Sequence, residues 1–406
     1  MKALINTIEL NTNTKDKTAI CFLGYYTLYN MKSLLIQYEN GFNEDNIYKY
    51  LERPLTHTEN KNGFILKDKK IRNSFKLNNI DDVLNSIDYL FKCYKAQVKT
   101  DMYERIVDTW GDLGLNELRK EAKENKIGIN KVIKEFDNIN NFNIEMLIDL
   151  FEELNVSNKF YNDYFTPNSI SKFIGSMASK DFNTNRPYIN IYDPSCGIGR
   201  VLYHTFVELK EKYPNKKIKI FGIDLCNRFK VFTESVLSLI NFDKTFIERG
   251  NTLKVNFNFP KMDICVANPP YNKENIEIEF VEHIKKLNCD SYVVLPLNFG
   301  FSEKASSLRL ELMNNNLIKA IIRMPEKLFK GTSIATDIYV LRKNPLLDIE
   351  KLCNENKAIF KQIDKTKDFE EQLKEIVKDI PKEYREINND LLESLINKKT
   401  KILLSA

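Results

Sequence analysis

Four short β-rich runs between residues 188 and 268 alternate with helical segments, and each run ends at polar or glycine-containing residues. The runs end at Asp193, at Asp224, at Gly250-Asn251 and at Asn268. Strands that alternate with helices form parallel sheets, and ligands bind at the carboxyl ends of such strands. The pattern therefore predicts an α/β fold, with a mostly parallel Rossmann-like sheet, helices on both faces and a site at one sheet edge.

The rest of the chain has weaker patterns. Residues 1–100 read as a mixed α+β region of unknown role, with a short strand near Gly63–Leu66. Residues 101–160 read as a helical connector in which Trp110 is a core residue. Residues 345–406 read as a charged, short helical tail, with helical spacing over Phe369–Val377 and Asn389–Ile396. The domain that carries the site should then span residues 161–344. The stretch Lys61–Lys76 has six basic residues and one acidic residue, which is typical either of a nucleic-acid contact or of a charged hairpin in water.

Composition excludes several kinds of site. Three histidines without a metal-ligand spacing predict no metal, and seven cysteines without a CxxC pair predict reduced thiols. No apolar run approaches the roughly 18 residues of a membrane span, and the N-terminus lacks a signal peptide, so we expect a cytoplasmic location. The net charge of +5 suits a polyanionic partner without requiring one.

The residues Asp193-Pro194-Ser195-Cys196-Gly197-Ile198-Gly199 form a nucleotide-type turn between a strand and a helix. Small residues there allow a ligand to approach the backbone closely. The acidic Asp193 inside the bend suits a cationic ammonium or sulfonium group better than a pyrophosphate. Asp224 ends the next strand, where a carboxylate usually binds ribose hydroxyls. For Cys196, small-residue packing is the expected role.

Another signal precedes the bend, at Tyr164-Phe165-Thr166-Pro167. A threonine followed by proline predicts a helix N-cap at Thr166 with Pro167 in the first helical position. The free N–H groups of such a helix could bind a carboxylate, although ordinary capping is common.

The stretch Asn268-Pro269-Pro270-Tyr271 follows the fourth run. The two prolines are rigid, so the Asn268 side-chain oxygen and the Pro269 carbonyl could hold an exocyclic NH2 group between them. Tyr271 would offer a ring face for stacking on a base. Alternatively, the stretch is an ordinary turn at the end of a strand.

Taken together, these motifs resemble the S-adenosylmethionine-dependent amino-methyltransferases, and most closely the methylation subunits of type I restriction-modification systems. The resemblance covers roughly residues 145–344 and also rests on Val293–Pro296 and Glu326–Lys343. It implies an adenine-specific DNA methyltransferase that uses S-adenosylmethionine on a flipped adenine. It also implies double-stranded DNA as a partner, together with a specificity subunit and a homo- or hetero-oligomeric assembly.

The resemblance also implies roles for individual residues. Asn268, Pro269, Pro270 and Tyr271 would grip the adenine. Thr166 would help to hold the methionine carboxylate, the Asp193 bend the methionine amine, and Asp224 the ribose. Asn251 stands where many methyltransferases have an aspartate that binds the cofactor's adenine. The full cofactor-binding set is Tyr164, Phe165, Thr166, Pro167, Asp193, Pro194, Ser195, Gly197, Gly199, Asp224 and Asn251.

Other functions remain open at this point. Cytosine C5 methylation is excluded because it needs a nucleophilic cysteine, usually after proline, and no Pro-Cys pair occurs in the chain. Cytosine N4 methylation and protein glutamine methylation remain as alternatives. From a different class, the chain could be a binding subunit that keeps the fold without catalysis.

Overall fold

The computed structural model describes residues 1–13, 17–39, 78–97, 100–139, 142–155, 165–241, 244–255, 258–271, 275–315, 317–329, 334–343 and 359–380. The chain forms two compact units. The first comprises Met1–Tyr161 and Val231–Thr245, and the second comprises Asn162–Lys230 and Phe246–Ala406. The domain limits derived from the sequence stay a prediction.

The described secondary structure of Met1–Tyr161 is helical. Its helices are α1 (Lys2–Asn11), α2 (Thr18–Glu39), α3 (Ile80–Gln97), α4 (Thr100–Asp112), α5 (Leu115–Glu124), α6 (Lys126–Asp137) and α7 (Ile144–Asn155). Helices α4 to α7 occupy most of the described part of residues 101–160, while the role of this stretch as a connector stays a prediction. The strand predicted near Gly63–Leu66 and the basic stretch Lys61–Lys76 lie outside the described residues.

An aromatic cluster forms part of the core of the first unit. The Trp110 ring meets the edges of Phe22, Tyr25 and Tyr26 at centroid distances of 5.3, 6.2 and 6.4 Å. Trp110 is only 1% exposed, so its predicted core role is confirmed. Edge-to-face contacts of this kind add to the stabilisation that burial alone provides.

The second unit contains one eight-stranded sheet in the order β3-β2-β1-β4-β5-β7-β6-β8. Strand β1 pairs in parallel with β2 and β4, and β4 pairs in parallel with β5, whereas β7 is antiparallel to both β5 and β6. The predicted fold class, a mostly parallel α/β sheet, is confirmed. The strands are β1 (Tyr188–Asp193), β2 (Lys217–Asp224), β3 (Thr245–Arg249), β4 (Ile264–Ala267), β5 (Asp290–Pro296), β6 (Ile318–Arg323), β7 (Thr336–Leu341) and β8 (Ile359–Gln362).

Helices separate these strands in the chain. They are α8 (Asn168–Asp181), α9 (Arg200–Lys212), α10 (Asn227–Asn241), α11 (Ile276–Leu287), α12 (Ser306–Asn314) and α13 (Phe369–Asp379), with a 3-10 turn at Leu297–Gly300. All four residues of β4 and all six of β7 are buried, as expected for strands covered on both faces. This burial explains why β4 is a continuous apolar run and why β7 is apolar from Ile338 to Leu341.

Close packing of α8 against α9 fixes the two helix starts that border the site. A Cβ at Gly175 in α8 would lie 2.8 Å from the carbonyl carbon and oxygen of His204 in α9, so only glycine allows this approach. At the other end of α8, Lys180 Nζ donates to two backbone carbonyls at the end of α13. These are Lys378, in the last turn, at 2.9 Å, and Ile380, just after the helix, at 2.6 Å. A lysine at these carbonyls complements the negative end of the helix dipole.

The tail is described only in part. The helix predicted over Phe369–Val377 is confirmed as α13, while the one predicted over Asn389–Ile396 lies outside the described residues. Of the helices that the structure describes, none combines the length and the apolarity needed to cross a membrane.

Candidate active site

The strand order brings the two sets of predicted site residues to one point. The chain runs through β1, β2 and β3 toward one sheet edge and then returns to place β4 on the other side of β1. Tyr192 in β1 is aligned with Cys265 in β4. Asp193, the last residue of β1, and Asn268, the first residue after β4, therefore lie at the carboxyl ends of neighbouring strands. This reversal of strand order is where open α/β sheets bind ligands.

The turn after β1 is built on two carboxylates. Asp193 Oδ1 accepts a hydrogen bond from the Ser195 N–H at 2.9 Å. Asp224 Oδ2 accepts one from the Gly197 N–H at 2.9 Å, and its Oδ1 accepts one from the Cys226 N–H at 2.8 Å. Asp224 thus connects the end of β2 to the bend that follows β1.

The glycines of this bend adopt left-handed backbone conformations. Gly197 has φ +51° and Gly199 has φ +77°, where an L-residue is strained. Gly199 is also the N-cap residue of α9. Among the described residues, no heavy atom lies within 4 Å of the position that a Cβ at Gly197 would take, so the backbone borders open space there.

The surroundings of Asp193 and Asp224 disfavour the negatively charged forms of both side chains. Burial, and to a smaller extent the neighbouring Asp224, raises the pKa of Asp193 to about 8, although hydrogen bonds from Ser195 partly oppose the shift. Burial also raises the pKa of the Asp224 carboxyl. A buried carboxylate is stabilised when a cation pairs with it. The open space beside Gly197 and the two carboxyls therefore fit a ligand with an ammonium or sulfonium group.

Cys196 packs inside the turn instead of facing that space. It is 6% exposed, and its Sγ lies 3.1 Å from the position of a Cβ built on Gly222. Burial raises the pKa of the thiol well above its ordinary value, and the nearby Asp224 and Asp193 raise it further. The thiolate is thus disfavoured, in keeping with the packing role predicted from the sequence.

Two side-chain hydrogen bonds hold Asn268 just after β4. Its Nδ2 donates to Thr166 Oγ1 at 3.0 Å, and its Oδ1 accepts from the Tyr271 hydroxyl at 2.5 Å. The same hydroxyl lies 3.1 Å from the Val294 carbonyl in β5. Asn268 is 8% exposed and Thr166 is 7% exposed. The amide is therefore fixed by hydrogen bonds in a largely water-free place.

Tyr271 contacts Asn268 through its hydroxyl, and its side chain is largely covered. The side chain is 9% exposed, and its hydroxyl points to the amide oxygen that the sequence assigns to the adenine amine. In the diproline before it, Pro269 is buried and Pro270 is exposed. Stacking of a base on the Tyr271 ring stays a prediction.

The start of α8 differs by one residue from the sequence prediction. The helix begins at Asn168, and the capping residue is Pro167, whose carbonyl accepts the Ser171 N–H at 2.9 Å. The predicted N-cap at Thr166 is therefore wrong, because Pro167 has an extended ψ of 149° and Thr166 pairs with Asn268 instead. Phe165 meets Phe229 edge-on at 5.4 Å, and Tyr164 lies outside the described residues.

Asn251 stabilises the loop after β3. Its Oδ1 accepts the Leu253 N–H at 2.9 Å, which forms a local turn. The next residue, Thr252, is anchored by the Tyr192 hydroxyl at 2.8 Å. Asn251 is thus brought to the sheet edge that carries Asp193 and Asp224, with its oxygen already in one hydrogen bond.

Comparison with protein families adds an independent observation. A family model described as N-6 DNA Methylase matches residues 144–288 and 274–393, which is more than half of the chain. The chain belongs to the N-6 DNA methylase family. The matched residues contain Thr166, the Asp193 bend, Asp224 and Asn268–Tyr271, although the match assigns no role to any of them.

Individual relatives of the family agree with this membership. The chain is 26% identical over 240 residues to the type I restriction enzyme MpnII methylase subunit of Mycoplasma pneumoniae, covering 49% of this chain and 43% of that protein. It is 24% identical over 220 residues to the MjaVII methylase subunit of Methanocaldococcus jannaschii, covering 45% and 36%. The chain thus spans less than half the length of these two relatives.

A solved structure shows the same fold. A type I restriction-modification system methyltransferase subunit from Streptococcus thermophilus superposes with a TM-score of 0.62 at 16% identity, over 96% of this chain and 93% of that one. At this identity the likeness supports the fold of the N-6 DNA methylase family and not a particular substrate.

The structure shows one contact and one exposed side chain that the sequence reasoning did not assign to the site. The Val294 carbonyl pairs with Tyr271 because β5 lies beside β4, with Ala267 aligned with Val293. Only the strand order could have indicated this contact. Leu225 is 66% exposed immediately after Asp224, and an apolar residue directly after a strand-ending carboxylate was a usable sequence signal. Within the described residues, no group of three or more His, Cys, Asp or Glu side chains is arranged to hold a metal ion.

Proposed function

We propose that this N-6 DNA methylase family member transfers a methyl group from S-adenosylmethionine to the N6 amine of an adenine flipped out of duplex DNA. The observation that carries the proposal is the position of Asn268 at the end of β4, next to the strand end that bears Asp193. An amide that can hold a base amine thereby lies at the same sheet edge as the buried Asp193 and the half-buried Asp224, which suit a cationic cofactor.

The cofactor would be bound by the carboxyl ends of β1, β2 and β3. Asp193 pairs with the ammonium of the methionine part, and the Gly197–Gly199 bend lets that part approach the backbone. Asp224 binds the ribose hydroxyls, Asn251 meets the cofactor's adenine, and Leu225 offers an exposed apolar surface to the same base. Thr166 donates to the methionine carboxylate. The other residues that the sequence assigns to the cofactor are Tyr164, Phe165, Pro167, Pro194 and Ser195.

The reaction needs orientation more than acid or base groups. S-adenosylmethionine, when bound, supplies a methyl group that is already activated on a sulfonium sulfur. Asn268 Oδ1 and the Pro269 carbonyl accept hydrogen bonds from the two N6 protons, so that the nitrogen lone pair points toward the methyl carbon. These acceptors stabilise the positive charge that develops on nitrogen, and the in-line geometry lowers the entropic barrier.

The partners follow from the substrate. Flipping an adenine costs a few kcal/mol of unpairing and unstacking, which contacts with double-stranded DNA must supply. We propose a specificity subunit that provides sequence recognition, in a homo- or hetero-oligomeric complex. The chain would then work in the cytoplasm, where bacterial and archaeal DNA lies. Phosphate contacts by the chain alone would be weak and sensitive to salt.

The direct test is methyl transfer. The purified chain, with any partners that copurify, is incubated with labelled S-adenosylmethionine and genomic DNA from a host that lacks adenine methylation. We expect N6-methyladenine in the DNA, detected by mass spectrometry of nucleosides and mapped at base resolution. Label on cytosine N4 or on protein glutamine instead of adenine would reject the adenine assignment.

A second function, that of a binding subunit without catalysis, is favoured by one observation. Asn268 Oδ1 already accepts the Tyr271 hydroxyl at 2.5 Å, so one of the two lone pairs of this acceptor is used within the protein. Such a subunit would bind the cofactor but would not methylate DNA. Calorimetric cofactor binding together with transfer at the uncatalysed level, with all copurifying partners present, would establish this alternative.

A further inference from the structure

Thr166 and Asn268 are joined directly, although they come from different parts of the chain. Thr166 lies just before α8 and Asn268 just after β4, and the Asn268 Nδ2 to Thr166 Oγ1 distance is 3.0 Å. Both side chains are more than nine-tenths buried. A buried hydrogen bond of this kind is costly to break, because water does not replace the lost partner.

The orientation of the Asn268 amide decides whether the site can hold an amine. If Oδ1 faces the base, it accepts a hydrogen bond from the adenine N6 group. If the amide turns by a half rotation, its NH2 group faces the adenine NH2 group, and two donors oppose each other. A device that selects one orientation is therefore necessary for the proposed reaction.

Tyr271 cannot make this selection. Its hydroxyl lies near both Asn268 Oδ1 and the Val294 carbonyl, at 2.5 and 3.1 Å. It can donate to Oδ1, or it can donate to Val294 and accept from a rotated NH2 group, because a hydroxyl both donates and accepts. Thr166, at the other end of the amide, is placed to make this selection.

We propose that Thr166 is a positioning residue that fixes the Asn268 amide with its oxygen toward the base. Thr166 fixes this orientation when its hydroxyl donates a hydrogen bond to the cofactor carboxylate. A hydroxyl that donates to a carboxylate can only accept from Asn268, so the amide must present Nδ2 to it. This inference rests on the proposed function. It adds that cofactor binding prepares the base-binding group through one shared hydroxyl.

The test compares Thr166→Val, which keeps the shape and removes the hydroxyl, with Thr166→Ser, which keeps the hydroxyl. At saturating cofactor and DNA, kcat for methyl transfer should fall about tenfold or more in Thr166→Val, with a smaller change in the KM for DNA. Thr166→Ser should restore most of the rate. Equal kcat values in the parent and Thr166→Val would overturn the positioning role.

A double-mutant cycle separates positioning from general damage. In the Asn268→Ala background there is no amide to orient, so adding Thr166→Val should lower kcat little further. If the two losses multiply as independent effects, Thr166 does not act through Asn268, and the inference fails. A parent chain that methylates no DNA with its partners present would instead reject the proposed function, which is a distinguishable result.

The carboxylate link has a readout that does not depend on activity. Calorimetry with S-adenosylhomocysteine, which carries the carboxylate, should show about tenfold weaker binding to Thr166→Val than to the parent. Methylthioadenosine lacks the carboxylate and should bind both proteins equally, which also shows that the variant is folded. Unchanged affinity for S-adenosylhomocysteine would overturn the link to the cofactor.

Discussion

The Tyr271 hydroxyl and the Asn268 side-chain oxygen are joined by a hydrogen bond of 2.5 Å. This oxygen is the group that we propose for holding the adenine amine. An amide oxygen has two lone pairs, so the tyrosine hydroxyl shares this oxygen with the proposed adenine amine and does not exclude it.

The first prediction separates the ring of Tyr271 from its hydroxyl. Tyr271→Phe keeps the stacking face and removes the hydroxyl that donates to Asn268 Oδ1, so the methylation rate should stay within about threefold of the parent. Tyr271→Ala loses base stacking, worth about 1–3 kcal/mol, and should raise the KM for DNA about tenfold. Steady-state methyl transfer measures both. An equal loss in the two variants would mean that the hydroxyl takes part in the reaction.

The second prediction concerns the charge of Asp193. Because burial raises its pKa to about 8, the carboxyl of the free protein is mostly protonated near neutral pH. A cationic cofactor needs the carboxylate, so binding near pH 7 should release a proton, and affinity should rise between about pH 6 and about pH 8. Calorimetry in buffers of different ionisation enthalpy measures the proton release. Asp193→Asn should weaken binding at least about tenfold and remove the pH dependence.

The same group affects the stability of the cofactor-free protein. In the unfolded chain Asp193 would titrate near its ordinary pKa of 3.8, so between that pH and about 8 the folded state binds the extra proton. The free energy of unfolding should therefore fall as pH rises through this window. Asp193→Asn should lack this contribution and melt at a higher temperature than the parent above about pH 8. A lower melting temperature for the variant there would contradict the raised pKa.

The third prediction uses two glycines of the same region. A Cβ at Gly197 would enter open space, so Gly197→Ala should cost only about 1 kcal/mol of stability, from its positive φ, while obstructing the cofactor. A Cβ at Gly222 would lie 2.9 Å from Ile247 Cδ1, so Gly222→Ala should instead lower stability through crowding. Calorimetry and thermal melts compare the two. Full cofactor affinity in Gly197→Ala would mean that the open space is not the cofactor site.

The sequence was sufficient to predict the parallel strands β1, β2 and β4 and the polar residues at their carboxyl ends. The runs before Asp193, Asp224 and Asn268 are short, apolar and separated by helical segments, and this local pattern corresponds to β1, β2 and β4. Gathering the polar residues then required only the rule that parallel strands end at one edge.

Contacts between distant segments could not be predicted in this way. The Thr166–Asn268 bond joins residues 102 positions apart, and capping rules assigned Thr166 to its own helix instead. The contact from Tyr271 to the Val294 carbonyl depends on β5 lying next to β4, which no local pattern encodes. Propensity rules describe neighbours in sequence, whereas these bonds depend on tertiary packing.

The fourth prediction tests the packing that supports the site. Lys319 Nζ and Asp181 Oδ1 form a buried ion pair at 2.8 Å, with side chains 7% and 6% exposed, between β6 and the end of α8. Lys319→Met should destabilise the protein by about 3–5 kcal/mol, because it leaves a buried carboxylate without its cation. The control is Lys361→Met in the exposed pair Lys361–Asp379, which should cost less than about 1 kcal/mol. Similar urea midpoints for the two variants would contradict the buried pair.

The most direct test of the account is Asn268→Ala, measured for cofactor affinity and for methyl transfer to adenine in the presence of copurifying partners. If the Asn268 oxygen stabilises the amine mainly in the transition state, the rate should fall about a hundredfold or more, or by about 3 kcal/mol. Affinity for S-adenosylhomocysteine should stay close to that of the parent. Methylation by Asn268→Ala at the parental rate would mean that Asn268–Tyr271 is only a turn at the end of β4, and the proposed mechanism would be wrong.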